Sequence, residues 1–135
     1  MNNSKSANTL PENYDPLQDE VYMSGYMILY FRQKLENMLI EILHKENEIS
    51  HNLSENPNRE ADYVDQGTNE ELMLQDFTLQ EYEDKRRKEV EEALLSIENG
   101  DYGYCAETGE PIGVPRLLSV PTAKYQVKIQ EAKEH

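Results

Sequence analysis

The sequence predicts a mainly α protein: a long antiparallel two-helix coiled coil, a small turn-rich globular knot and a C-terminal helix. Three observations predict it. Apolar residues repeat at heptad spacing before a polar bend at 56–67, a second periodic run of similar length follows the bend, and beyond residue 100 glycine and proline recur every few positions. Apolar residues make up only 37% of the chain and charged ones 30%, a mixture that suits long exposed helices better than a closed barrel or sandwich. The expected segments are therefore 1–23, loosely held; 24–98, the hairpin; and 99–135, the knot with its last helix.

Residues 1–23 are rich in Asn, Ser, Pro and acid, and Pro11 and Pro16 argue against an early helix. Ser24 then stands as an N-cap, with Tyr22 and Met23 before it and a long apolar-periodic run after it. Phe31, Leu35, Met38, Ile42, Ile49 and Leu53 follow at spacings of 4, 3, 4, 7 and 4, with Lys45 filling the missing step. That is a heptad seam. A helix from Ser24 to Glu55 extends about 48 Å, too long to be buried on all sides in a chain of this size.

The bend, Asn56 to Gly67, carries Asp62 and Asp65 and no bulky apolar side chain except Tyr63 and Val64, so it cannot anchor a core. From Asn69 to Glu98 a second helix places Leu72, Leu79, Val90, Ala93 and Ile97 on one stripe, interrupted by Asp76, Glu83 and Arg86. Two runs of similar length joined by a short bend pair antiparallel, and polar seam positions help to fix register. Asn99-Gly100 ends the second helix.

Residues 101–121 are punctuated by Gly103, Gly109, Pro111, Gly113, Pro115 and Pro121, which predicts a knot of turns with two short strands. Thr122 is expected to cap a last helix that packs back through Tyr125 and Ile129. Tyr102, Tyr104, Ile112, Leu117, Leu118 and Ile129 are the candidates for the knot's small core, and Cys105 is expected to be buried as a small apolar residue.

The net charge of −14, from 27 acidic and 13 basic residues, argues against autonomous binding to a phosphate backbone and favours a basic protein groove. One cysteine excludes an intrachain disulfide. No apolar run approaches the roughly 18 residues that span a bilayer, so a soluble cytoplasmic protein is expected. Asp62 and Asp65 are three apart; on a helical turn they would share one side and could meet a hard cation or a partner's cations. Equally, acids there could serve only the dipole of the second helix. Lys85, Arg86, Arg87 and Lys88 form the one basic block, readable as a solvated face or as a phosphate contact. Cys105-Ala-Glu-Thr108 has the outline of half a zinc knuckle whose second sulfur is missing, and no second pair exists. With no phosphate loop, metalloprotease pair or serine elbow, no enzyme is expected.

The order of parts carries a resemblance: Leu-Pro-x-x-Tyr-x-Pro from Leu10, the long hairpin, Asp-x-x-Asp at its bend, then Tyr102-Gly103-Tyr104-Cys105, Ile112-Gly113 and Pro121-Thr122-Ala123. The chain resembles the DksA/TraR family of bacterial RNA polymerase-binding transcription factors from about residue 10 onward. The resemblance implies a cytoplasmic, non-enzymatic monomer whose coiled coil enters the polymerase secondary channel and modulates initiation through Asp62 and Asp65, without binding DNA. At the family's tip alanine this chain has Gly67. The family's four zinc cysteines fall on Cys105, Thr108, Gln126 and Ile129, so the resemblance is to its zinc-free branch and zinc is not expected. The family's basic contacts to guanosine tetraphosphate at the polymerase interface fall on Glu89, Val120 and Gln130, leaving Arg86, Arg87, Lys88 and Arg116 as neighbouring substitutes. A Gre-type transcript-cleavage or elongation factor and a plain coiled-coil adaptor are the competing readings.

Overall fold

The computed structural model describes residues 9–54 and 69–134. They form a single 3₁₀ turn, Pro16–Gln18, and four helices: α1 (Gly25–Ser54), α2 (Asn69–Asn99), α3 (Val114–Ser119) and α4 (Val127–Glu134). Among the described residues there is no strand, only an isolated antiparallel bridge between Tyr104 and Pro111 where two short strands were expected. By compactness the chain divides into two units, Met1–Asn37 with Val90–His135, and Met38–Glu89.

In the first unit, α1 buries Phe31 and Leu35 and α2 buries Val90, Ala93 and Ile97, as the seam predicts, and Met27 is buried one turn before Phe31. The Phe31 ring lies 5.8 Å from that of Tyr102 and 5.1 Å, edge-on, from that of Tyr30. Ser24 caps α1 as expected, its Oγ accepting the Met27 N–H at 3.2 Å. Helix α2 ends on Gly100 at φ 82°, with Gly100 N–H on the Ile97 carbonyl (3.2 Å) and Asp101 N–H on that of Ser96 (2.8 Å), a Schellman exit.

Residues 9–23, expected to be loose, form a strap. The Asp15 carboxylate accepts the Leu17 N–H at 3.0 Å and Pro16 is buried, its turn packing against α3. The Asp19 carboxylate accepts from the Tyr14 hydroxyl (2.8 Å), the Ser24 hydroxyl and the Val21 N–H (3.0 Å). These donors, Ser24 first among them, hold Asp19 below the usual carboxylate range; burial and the bond to Asp19 push Tyr14 up to about 12. Tyr22 then donates to the Gly103 carbonyl at 2.6 Å and accepts the Gly113 N–H at 3.0 Å.

The knot departs from expectation in three places. Pro115, read as a breaker, lies in the first turn of α3, where its missing N–H has no helical partner to lose. Thr122 caps nothing: residues 122–126 run on to α4 at Val127, because the Lys124 carbonyl is taken by the Ala106 N–H at 2.8 Å. Tyr104 is exposed at the knot's surface, its ring edge-on to Tyr22, whereas Tyr102, Cys105 and Leu117 are buried and Ile112, Leu118 and Ile129 are half-buried.

In the second unit α1 and α2 run antiparallel. Glu46 meets Arg87 (3.0 Å), while Ile49 and Ser50, further along α1, share a cleft with Gln80, Glu81 and Asp84, earlier on α2. The described core here is thin. Among the described residues only Ile42 and Glu83 are buried, and Glu83, 1% exposed, is held by Arg86 Nη1 at 3.3 Å. Glu83 is thus the polar seam position that the sequence marked, whereas Leu79, placed on the same stripe, is exposed, as are Ile40, Leu43, Leu74, Phe77 and Tyr82. The side chains of Leu53, Leu72 and Asp76 lie outside the described residues.

Candidate functional site

Two candidate sites arise from the sequence, the bend and the knot. Asp62, Asp65 and Gly67 lie outside the described residues, so the bend stands on its sequence alone.

In the knot, the four positions of the degenerate metal motif can be built up one by one. A turn at 106–108 lets Gly109, at φ 75°, send its N–H back to the Cys105 carbonyl (2.8 Å), while the Cys105 N–H bonds the Glu110 carbonyl (2.7 Å). The Thr108 hydroxyl therefore turns in toward Cys105. Its single proton has two acceptors in reach, the Cys105 sulfur and Gln126 Oε1 at 3.3 Å, and its oxygen accepts the Glu110 N–H at 3.2 Å. Gln126 Nε2 donates to Glu110 Oε2 and to the Pro111 carbonyl, both at 3.4 Å. Cys105, Thr108 and Gln126 are thus brought together, and Ile129 stands three residues on from Gln126, half-buried on α4.

Burial alone would push the Cys105 thiol up. Hydrogen bonds from the Thr108 hydroxyl and from the N–H groups of Gln126, Thr108 and Glu107 outweigh it and bring the thiol down to about 7. The cradle thus favours a thiolate. It does not fit zinc: structural zinc takes four sulfur or imidazole ligands, and here a hydroxyl, an amide and a hydrocarbon stand beside one thiol. Among the described residues no three His, Cys, Asp or Glu side chains cluster as metal ligands.

Three cations of the basic block are already engaged. Arg86 pairs with Glu83, Arg87 with Glu46 and Asp84, and Lys88 with Asp84 at 3.0 Å. The alarmone-matching positions Glu89, Val120 and Gln130 supply no cation. Arg116 differs, being half-buried with a buried Nε that has no hydrogen-bond partner among the described residues. Sequence reasoning missed the strap: Tyr14 and Tyr22 are far from the knot in sequence, and the signal available was the tyrosine within Leu-Pro-x-x-Tyr-x-Pro. Among the described residues no helix is long and apolar enough to cross a membrane.

Residues 100–125 match the prokaryotic dksA/traR C4-type zinc finger. Over 122 residues the chain is 36% identical to the RNA polymerase-binding transcription factor DksA of Caulobacter vibrioides, covering 90% of this chain and 86% of that protein. To the factor of the same name from Escherichia coli K12 it is 29% identical over 112 residues, 83% of this chain and 74% of that one. The solved structure of transcription factor DksA2 from Pseudomonas aeruginosa is similar with a TM-score of 0.75 at 36% identity, covering 86% of this chain and 89% of that chain.

Proposed function

The chain belongs to the DksA/TraR family, and from that premise we propose that it is a cytoplasmic, non-enzymatic regulator of transcription initiation that binds bacterial RNA polymerase as a monomer. The observation that carries this reading is 36% identity, across 90% of the chain, to a factor named for polymerase binding. In this reading the hairpin 24–98 enters the secondary channel and carries Asp62 and Asp65 toward the active-site metal. Two carboxylates there act on an equilibrium already close to balance. A difference of about 1–3 kcal/mol between closed and open promoter complexes changes output from several-fold to a hundredfold. A net charge of −14 supports contact with protein and not with promoter DNA.

Two features of this chain refine the reading. The knot holds its shape through the Cys105–Thr108–Gln126 cluster and the Tyr22 bridge instead of a metal. Its melting temperature is therefore expected to be unchanged by a zinc chelator, with well below one equivalent of zinc by elemental analysis. Guanosine tetraphosphate at the polymerase interface would meet Arg116, because Arg86, Arg87 and Lys88 already have acidic partners.

The testing experiment uses purified polymerase and the full chain, with binding, open-complex lifetime and transcript cleavage measured side by side. Binding with an altered lifetime is the expected result. Cleavage of backtracked transcripts would assign the tip acids to Gre-type metal chemistry instead, and a chain that does not bind polymerase would leave only a coiled-coil adaptor.

A further inference from the structure

We propose that Arg87 is a positioning residue: with Glu46 and Asp84 it clasps the two helices of the hairpin together, and that clasp fixes how the acids of the bend are presented. This deepens the proposed reading of the hairpin and rests on it, while the clasp itself can be tested without polymerase.

The Arg87 guanidinium joins the two helices. Its Nε lies 3.0 Å from Glu46 Oε1 on α1, and its Nη2 reaches Asp84 Oδ1, one turn earlier on α2. Asp84 is tied in turn to Lys88 at 3.0 Å. A fully exposed ion pair contributes little, because water and salt screen it. Here the Arg87 and Glu46 side chains are only 26% and 25% exposed, so most of each has left water. Removing either partner strands a partly desolvated charge, a cost that losing an exposed pair does not carry.

The clasp sits where the apolar seam gives out. Glu46 stands one turn beyond the buried Ile42 on α1, and Arg87 one turn after the buried Glu83 on α2. Toward the bend, the described side chains of Leu79, Phe77 and Leu74 on α2 are all exposed. Apolar burial by these three does not hold the helices together there, and an ion network across the helix pair takes over that task. Helix α1 runs to Ser54 and α2 starts at Asn69, so the chain between them is anchored on two ends whose spacing depends on the pairing behind them. A carboxylate aimed at a partner acts reliably only when its own support is fixed. Within the basic block, Arg87 therefore has an internal duty in place of a phosphate contact.

The test uses Glu46→Gln, Arg87→Gln and the two together, with Glu48→Gln as the control. Glu48 is an exposed carboxylate paired with His44 within α1, and its loss changes the charge as Glu46→Gln does. Hydrogen exchange is measured first, on the full chain alone. In both single variants the amides of 38–54 and 69–89 are expected to exchange at least about threefold faster, while those of 25–37 and 90–99 stay as in the wild type. At saturating concentrations of the chain on polymerase, each single variant should keep less than about half of the wild-type shift in open-complex lifetime. The double variant should lose no more than the worse single one, since the pair acts as a unit. Arg87→Lys, which keeps the cation, should recover part of the shift, and it carries the test if Arg87→Gln alters the melting of the whole chain. Wild-type exchange in both single variants would overturn the clasp whatever polymerase does. Faster exchange with a full lifetime shift at saturation would reduce Arg87 to a structural role and overturn the positioning one. Equal losses in Glu48→Gln would assign the effect to net charge and overturn it as well. A wild type that does not bind polymerase would sink the reading of the hairpin and, with it, the positioning role.

Discussion

Asp62→Asn with Asp65→Asn is expected to remove the effect on open-complex lifetime while the affinity for polymerase stays within about twofold of wild type, a change of roughly 0.4 kcal/mol. Asparagine keeps the size and polarity of aspartate and removes two negative charges, so only what depends on charge is lost. In the proposed mechanism the two acids contribute differential contact, not attachment, and the lost effect is the whole regulatory output. Lifetime measured by competitor challenge, on a promoter where the wild type shortens or lengthens it at least threefold by roughly 0.7 kcal/mol, is the appropriate readout. A double variant that still shifts the lifetime would take the tip out of the mechanism.

Gly103→Ala is expected to destabilise the knot more than its control, Gly100→Ala. Both glycines have positive φ, 90° and 82°, where a side chain costs about 1–2 kcal/mol. They differ in surroundings. A Cβ on Gly100 meets nothing within 4 Å, whereas one on Gly103 would lie 2.8 Å from Met23 Sδ and 3.0 Å from its methyl carbon. The flexible end of Met23 must shift to admit it, so Gly103→Ala should destabilise by up to about 3 kcal/mol and Gly100→Ala by about 1–2. Urea unfolding of both checks it, and equal losses would show that Met23 moves aside freely. Met23 is itself at φ 54°, the one non-glycine with positive φ among the described residues.

What the sequence made legible was mostly what periodicity controls. Phe31, Leu35 and Ile42 on α1, and Val90, Ala93 and Ile97 on α2, are buried where heptad spacing puts them, and Ser24 and Gly100 cap the helices they were assigned to. Periodicity failed at Leu79, because spacing names a stripe but not how wide the partner's cover is; the buried place went to Glu83, which brings Arg86 to neutralise it. In the knot, Gly and Pro marked that the chain turns without showing what each turn does. Pro115 opens a helix as readily as it breaks one, and Thr122 could not be told from a cap without knowing that Ala106 claims the Lys124 carbonyl. The metal motif was legible as a loss, three missing cysteines, whereas its replacement was not, since the Thr108–Gln126 bond joins residues 18 apart by side chains that carry no spacing rule. The acids of the bend remain a sequence argument supported by family membership.

The Tyr22 bridge also bears on when the protein can finish folding. Its two partners lie 81 and 91 residues downstream, so the bridge joins residues that flank both long helices in the sequence. Helices α1 and α2 depend on local bonds and can form as the ribosome extrudes them. The knot cannot close until Gly113 has emerged and found a tyrosine made at the outset. During synthesis the nascent chain therefore holds helices before the knot can close, and completion of the fold waits on one late long-range closure.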